Sequence, residues 1–232
     1  MKFRENYADN RYYLNDRDCS ICVFCDKEAG TDEHIPAKGA FLTKPYPDNL
    51  HTVRVCNDCN NKSSNDEERV GFILRYLKLI EEGRTGELDN YFLTERRMKN
   101  EDLLFEALDI DINGNPFINI DKELFIRVLE KYSKGHIFYE LGIRLLDVPS
   151  RMSFAFKSQI DSKRLAEFNK TFISAVYPEV GSRLLQRIIE ENGNNWQTVQ
   201  EGYYRYYVTY TPKISIRIVI NEILFCEISW EE

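Results

Sequence analysis

The sequence predicts an α+β protein on the strength of three observations. Four cysteines stand in two Cys-x-x-Cys pairs ahead of residue 60, apolar residues recur at helical spacing from about 64 to 146, and three alternating apolar segments close the chain. At 232 residues there is enough chain for a buried core, as one domain or two small ones. A hydrophobic share of 43% places it among ordinary globular proteins. By pattern the chain divides into three regions, 1–69, 70–148 and 149–232.

The first region is rich in Cys, Asn, Asp and Pro and poor in long apolar runs, so it can hardly build a core without a staple. Five of the six cysteines lie here, at 19, 22, 25, 56 and 59. The start of the chain has no apolar segment of secretory type, and no stretch is apolar enough to span a bilayer, so a cytoplasmic, reducing setting is expected. Paired thiols in that setting point to metal rather than disulfides. Cys22, Cys25, Cys56 and Cys59 would hold structural zinc, fixing two distant turns of a segment too polar to fold alone. Cys19-x-x-Cys22 is a rival register; Asp26-Lys27, suited to the tight turn after a knuckle, favours 22 and 25.

In the second region Ser63 with Asp66, or Ser64 with Glu67, predicts a capped helix start, continued by Val70, Ile73, Leu77 and Ile80 up to Gly83. A second helix is expected over 100–109 and a loop over 113–116. A third helix should run from Asp121 through Leu124, Val128 and Tyr132 to Gly135. In the third region Leu184, Leu185, Ile188 and Ile189 mark a helix that stops at the Asn-Gly of 192 and 193. Alternating residues from Tyr204, Ile214 and Leu224 onward predict a three-strand antiparallel meander, with Cys226 as plain core. Tyr203 to Tyr207, interrupted by Arg205, is either a base-stacking platform or a sheet with tyrosines on both faces; the second is the simpler reading.

Charge constrains function. The net charge is -7, and residues 1–66 alone carry nine basic against eleven acidic side chains. Free binding to nucleic acid favours a basic face, so a nucleic-acid enzyme with this balance needs a local basic groove, a metal ion or a partner. No glycine-rich phosphate loop or nucleophile motif stands after residue 70.

Between and after the two cysteine pairs run Glu33-His34-Ile-Pro36-Ala-Lys38, Asn49-Leu-His51-Thr-Val53 and Cys59-Asn60-Asn61-Lys62. Over residues 22 to 69 this series resembles the HNH endonucleases of the ββα-metal fold, in particular a zinc-knuckle bacterial subgroup. The resemblance implies phosphodiester hydrolysis, with DNA as the expected substrate. His34 would be the general base, and Glu33 and Asn60 would ligate Mg²⁺ or Mn²⁺. Asn49 would hold the catalytic loop and orient the histidine. Lys38 and Lys62 are candidate phosphate contacts, and His51 is either a further one or an exposed strand residue. Asp66 and Glu67 could supply an outer metal ligand, helix capping being the simpler reading, and His136 reads as structural. Two positions depart from the family pattern: Glu33 stands where Asp is frequent, and Asn60 where His is frequent. Small proteins of this resemblance often act against phage or foreign DNA beside a protein partner. The alternatives are a catalytically silent zinc-bound binding module and an RNA-directed nuclease.

Overall fold

The computed structural model describes residues 20–84, 108–110, 116–118, 120–172, 176–191 and 193–231. In chain order these form β1 (Thr31–His34), α1 (Lys38–Phe41), β2 (Thr52–Val55), α2 (Asn57–Glu81), β3 (Leu108–Ile110), β4 (Pro116–Ile118) and α3 (Lys122–Leu141). There follow β5 (Arg151–Phe156), α4 (Ser162–Asn169), α5 (Arg183–Glu190), β6 (Gln197–Gln200), β7 (Tyr204–Thr209), β8 (Ile214–Ile220) and β9 (Leu224–Trp230). The class is α+β, with the expected antiparallel meander of β7, β8 and β9 as the centre of a larger sheet. That sheet has five strands in the order β5-β9-β8-β7-β6, all neighbours antiparallel. No helix among the described residues is long and apolar enough to cross a membrane.

Register explains which sheet residues are buried. Phe154 pairs with Cys226, Cys226 with Ile218, and Ile218 with Tyr206, so these four stand in one row across four strands. Side chains alternate along each strand, so one row shares one face. This face meets α3: the Phe125 ring stacks on Phe154 at 5.7 Å and His136 stacks on Tyr206 at 3.9 Å. Cys226 is buried in the middle of it, as core. The opposite face receives Phe168 of α4, whose ring meets Phe225 edge-on at 5.5 Å. Tyr204 and Tyr206 therefore serve one face and Tyr207 the other, and all three are buried.

Two helix boundaries differ from expectation, each for a local reason. The helix expected from Ser63 or Ser64 begins at Asn57, because Cys56 is its N-cap and the Cys56 sulfur accepts from Cys59 N at 3.4 Å. A thiol does here what Ser or Asp usually does. Asp66 and Glu67 consequently lie inside α2 rather than capping it. The third helix starts at Asp121, whose Oδ1 accepts from Glu123 N and Leu124 N at 3.0 and 3.2 Å. It passes through Gly135 and stops six residues later, where Gly142 takes φ 72° and returns its N–H to Phe138 O at 2.8 Å. Gly135 is a contact site instead: a Cβ there would meet Ile35 Cδ1 at 2.9 Å. Of the helix expected over 100–109, residues 100–107 lie outside the described residues, while Leu108 and Asp109 belong to the β3–β4 pair.

α3 carries the packing that joins the parts. It contacts α2, β2, α5 and three strands of the sheet, and one buried cluster runs from Cys22 and Ile35 through Leu129 and Tyr132 to Ile218 and Trp230. Against α2, the short α1 approaches so closely that a Cβ on Gly71 would lie 2.3 Å from Ala40 O. Glycine inside a helix normally costs about 1 kcal/mol relative to alanine, but here it makes the approach possible. Gly71→Ala should therefore destabilise the protein, by about 2 kcal/mol, because a backbone carbonyl must move. Gly39→Ala, whose Cβ would meet nothing within 4 Å, should stay within about 0.5 kcal/mol. Urea midpoints of the two variants against wild type check both values.

Candidate functional site

The two cysteine pairs meet. The Sγ atoms of Cys22, Cys25, Cys56 and Cys59 all lie within 4.8 Å of one another, a group able to hold a metal ion such as zinc. Cys25 Sγ is 3.7 Å from Cys56 Sγ and 3.6 Å from Cys59 Sγ. Four sulfurs at about 2.3 Å from one tetrahedral zinc stand about 3.8 Å apart, so these spacings fit the ion. Cys19, the rival, lies outside the described residues. The thiols are electrostatically unequal: Cys59 N–H, first of the causes, holds the Cys56 thiol down at about 7, while burial pushes Cys25 and Cys59 up.

Backbone bonds anchor this cluster to the hairpin behind it. Cys22 N donates to Lys27 O at 2.8 Å, closing the first knuckle, and Val23 N donates to Arg54 O at 3.0 Å. Gly30 N donates to Val55 O at 2.8 Å, immediately before Cys56. Arg144, just past α3, donates from Nη2 to Cys22 O at 3.0 Å and Cys25 O at 2.7 Å, tying the knuckle to the rest of the molecule. Nothing in the sequence around residue 144 announces this role.

The hairpin pairs Glu33 with Val53 and His34 with Thr52. Alternation sends Glu33 toward α2 and α3, where it is buried, and turns the half-buried His34 to the other face. Glu33 Oε1 accepts from Lys131 Nζ at 3.0 Å, Glu67 Oε1 accepts from the same ammonium at 2.5 Å, and Lys131 also donates to Ser63 Oγ at 2.6 Å. Two carboxylates share one ammonium, which leaves a formal surplus of negative charge in a buried place. Burial is the main reason that the Glu33 carboxyl is raised, and Lys131 opposes it. Asn60 stands three residues before Ser63 and seven before Glu67, on the same stripe of α2. The stripe, with Glu33, presents oxygen donors of the kind hard cations take, and Lys131 already fills the position between the two carboxylates.

His34 has different neighbours. Burial lowers its pKa first and Lys38 lowers it further, while Asp32 and a hydrogen bond with the His51 backbone raise it. Asn49 is exposed in the turn before β2, at the end of the hairpin where His34 lies. Lys38 is half-buried and Lys62 exposed. The sequence-marked residues thus fall into two sets, Glu33 with the Asn60 stripe on the α3 side and His34 with Lys38 and Asp32 away from it.

A second polar cluster forms at the same end of the hairpin. The half-buried His51 stacks on Tyr139 at 3.9 Å and lies 3.3 Å from Tyr206 Oη through Nδ1. Tyr206 Oη donates to Glu140 Oε1 at 2.5 Å, and Arg187 Nη2 donates to Glu140 Oε2 at 2.6 Å. His136 lies mid-helix, fully buried, with Nε2 3.0 Å from Tyr204 Oη. Sequence reading marked His51 and His136 singly; their pairing with Glu140 and Arg187, 47 residues apart, left no local signal.

Three outcomes are expected. Lys131→Met should destabilise by about 3–5 kcal/mol, since it strands buried carboxylates, and adding Glu33→Gln should recover part of the loss in a denaturant titration. Cys59→Ser, or a chelator added to wild type, should lower the melting temperature by several degrees, on the order of that given by losing about 2 kcal/mol. The third concerns pH. Burial, then Arg183 and Arg187, push His51 from 6.5 down to about 3. Below 6.5 the unfolded chain takes a proton that the folded ring refuses, so stability is full above 6.5 and falls as pH drops toward 3. The decline between about pH 6.5 and 5 should be shallower in His51→Asn than in wild type, measured by thermal melts.

No protein-family model, no curated protein and no solved structure matches this chain, so its function is read from the chemistry of these residues.

Proposed function

We propose that the chain is a metal-dependent endonuclease of the HNH type, with zinc in the four-cysteine cluster as a structural clamp and nucleic acid, DNA first, as substrate. One observation carries this reading above the others. His34 is a half-buried imidazole with depressed basicity, held at the end of a short hairpin whose ends the four cysteines bring to the head of a helix. A neutral imidazole is what proton abstraction from water requires near pH 7.

In this reading His34 accepts the proton of the attacking water and Lys38 stands near the phosphate. Asn49, in the loop before β2, orients that end of the hairpin. Glu33 and Asn60, on the other face of the hairpin from His34, fit a hard divalent cation such as Mg²⁺ or Mn²⁺ by donor type. The surplus negative charge of Glu33 and Glu67 over Lys131 supports cation binding, while the ammonium competes for the same oxygens.

That competition favours a second reading, a zinc-stapled binding module without catalysis, in which Lys131 is the permanent partner of Glu33. Plasmid cleavage separates the two. Wild-type protein is expected to nick plasmid with Mg²⁺ or Mn²⁺, and His34→Ala should lose roughly a hundredfold or more in rate. A parallel RNA substrate reports which nucleic acid is cut. Equal nicking by wild type and His34→Ala would remove His34 from catalysis, and no cleavage of DNA or RNA with either ion would favour the silent module.

A further inference from the structure

The first cysteine turn is held from behind by a residue far away in the chain. Arg144 Nη2 donates to Cys22 O at 3.0 Å and to Cys25 O at 2.7 Å, and meets Asp26 Oδ1 at 3.2 Å. The two carbonyls belong to the two residues whose sulfurs enter the cluster from this side. One guanidinium nitrogen thus bridges the Cys-x-x-Cys turn from its first cysteine to its last. Arg144 is half-buried and Asp26 exposed, so the ion pair between them is worth little and the carbonyl bonds carry the contact. What Arg144 contributes is placement rather than charge. The segment that carries it is fastened in turn. α3 ends at Leu141, and Gly142 at φ 72° turns the chain out of the helix. Lys134 Nζ then donates to Leu146 O at 3.3 Å, and Trp230 Nε1, at the end of β9, donates to Asp147 O at 3.3 Å. Residues 142–147 therefore lie between α3 and the sheet on one side and the cysteine turn on the other.

We infer that Arg144 is a positioning residue for the metal site: by holding the Cys22 and Cys25 carbonyls it sets the first cysteine pair at ligand spacing, and so couples zinc affinity to the docking of residues 142–147 on α3 and β9. The inference rests on the zinc clamp of the proposed function and is independent of its nuclease chemistry. The other backbone bonds of the turn are local or reach only the hairpin, Cys22 N to Lys27 O and Val23 N to Arg54 O. Arg144 adds the link to the body of the molecule. A cysteine pair already fixed in place loses less freedom when the ion binds, and that saving appears as affinity. Groups that orient ligands without touching the metal typically contribute roughly ten- to a hundredfold. Lys27 offers the contrast. It is exposed, pairs with Asp58 at 2.5 Å, and its charge is felt by Cys25 and Cys56. It brings positive charge near the same thiols through a side chain directed at α2 rather than at the turn.

The test is zinc affinity, which needs no nuclease activity. The full chain, loaded with zinc, is titrated with a colorimetric zinc chelator under reducing conditions, and circular dichroism verifies that each variant is folded at the working temperature. Arg144→Gln should hold zinc roughly ten- to a hundredfold more weakly than wild type. Arg144→Lys, shorter but still a donor, should lose only severalfold, and Lys27→Met should stay within about threefold. Where Arg144→Gln does not fold, Arg144→Lys decides, and wild-type zinc affinity in it overturns the inference. A lower melting temperature in Arg144→Gln with unchanged zinc affinity would make Arg144 a contact of the fold only, and the inference fails. A loss in Lys27→Met equal to that in Arg144→Gln would assign the effect to charge and overturn the placement role. A wild-type chain that takes up no zinc refutes the clamp itself; zinc held equally by wild type and both Arg144 variants refutes this inference alone.

Discussion

Residues 20–63 bury Ile35, Phe41, Leu42, Val53 and Val55 in the core, and beside them four sulfurs converge from two distant turns. Cys22 and Cys25 lie ahead of β1, Cys56 and Cys59 at the head of α2, and β1 and β2 lie between them. Bringing the pairs together closes a loop of some thirty residues, and in the proposed clamp metal–thiolate bonds would offset the entropy of that closure. The same convergence sets a helix boundary, since Cys56 serves both as cluster member and as N-cap of α2. It thereby fixes the rotation of α2, and with it the stripe of Asn60, Ser63 and Glu67.

α3 then reads that rotation from the other side. Near its middle Lys131 reaches Glu33 and Glu67, and two turns later Glu140 meets Tyr206 and Arg187. Between these lies Gly135, where a Cβ would meet the Ile35 side chain at 2.9 Å. Two buried charge clusters and one tight contact therefore position the hairpin along a single helix. Buried ion pairs are poor sources of stability because desolvation offsets their attraction, but they penalise misplacement heavily. Their value here is in register: a shift of the hairpin by one residue would strand Glu33 or expose Ile35.

Much of this was legible: besides the cysteine pairs and the last three strands, the helices through Val70 to Ile80, from Asp121 and across Leu184 to Ile189 stand where their periodicity put them. The paired cysteines announced their cluster because metal ligation leaves fixed spacing, and β7, β8 and β9 announced themselves by strict alternation. β5 and β6 were not anticipated: β5 alternates Met152, Phe154 and Phe156 with Arg151, Ser153 and Ala155 over only six residues, and Gln197 to Gln200 is a polar edge strand. The helix start at Asn57 was missed because cysteine is not counted among capping residues. Gly135 misled because a glycine needed for close approach looks the same in sequence as one that ends a helix. The candidate site was legible as residue types but not as partnerships. Lys131 with Glu33 and Arg187 with Glu140 join residues 98 and 47 positions apart, which no local pattern reveals.

The clamp is where the account is most directly exposed. X-ray absorption at the zinc edge of protein purified without added metal would count and identify the donors around the ion. About one zinc per chain, surrounded by four sulfurs at about 2.3 Å, is the expected result. A chain that folds with no metal, or a metal bound by nitrogen and oxygen alone, would contradict it.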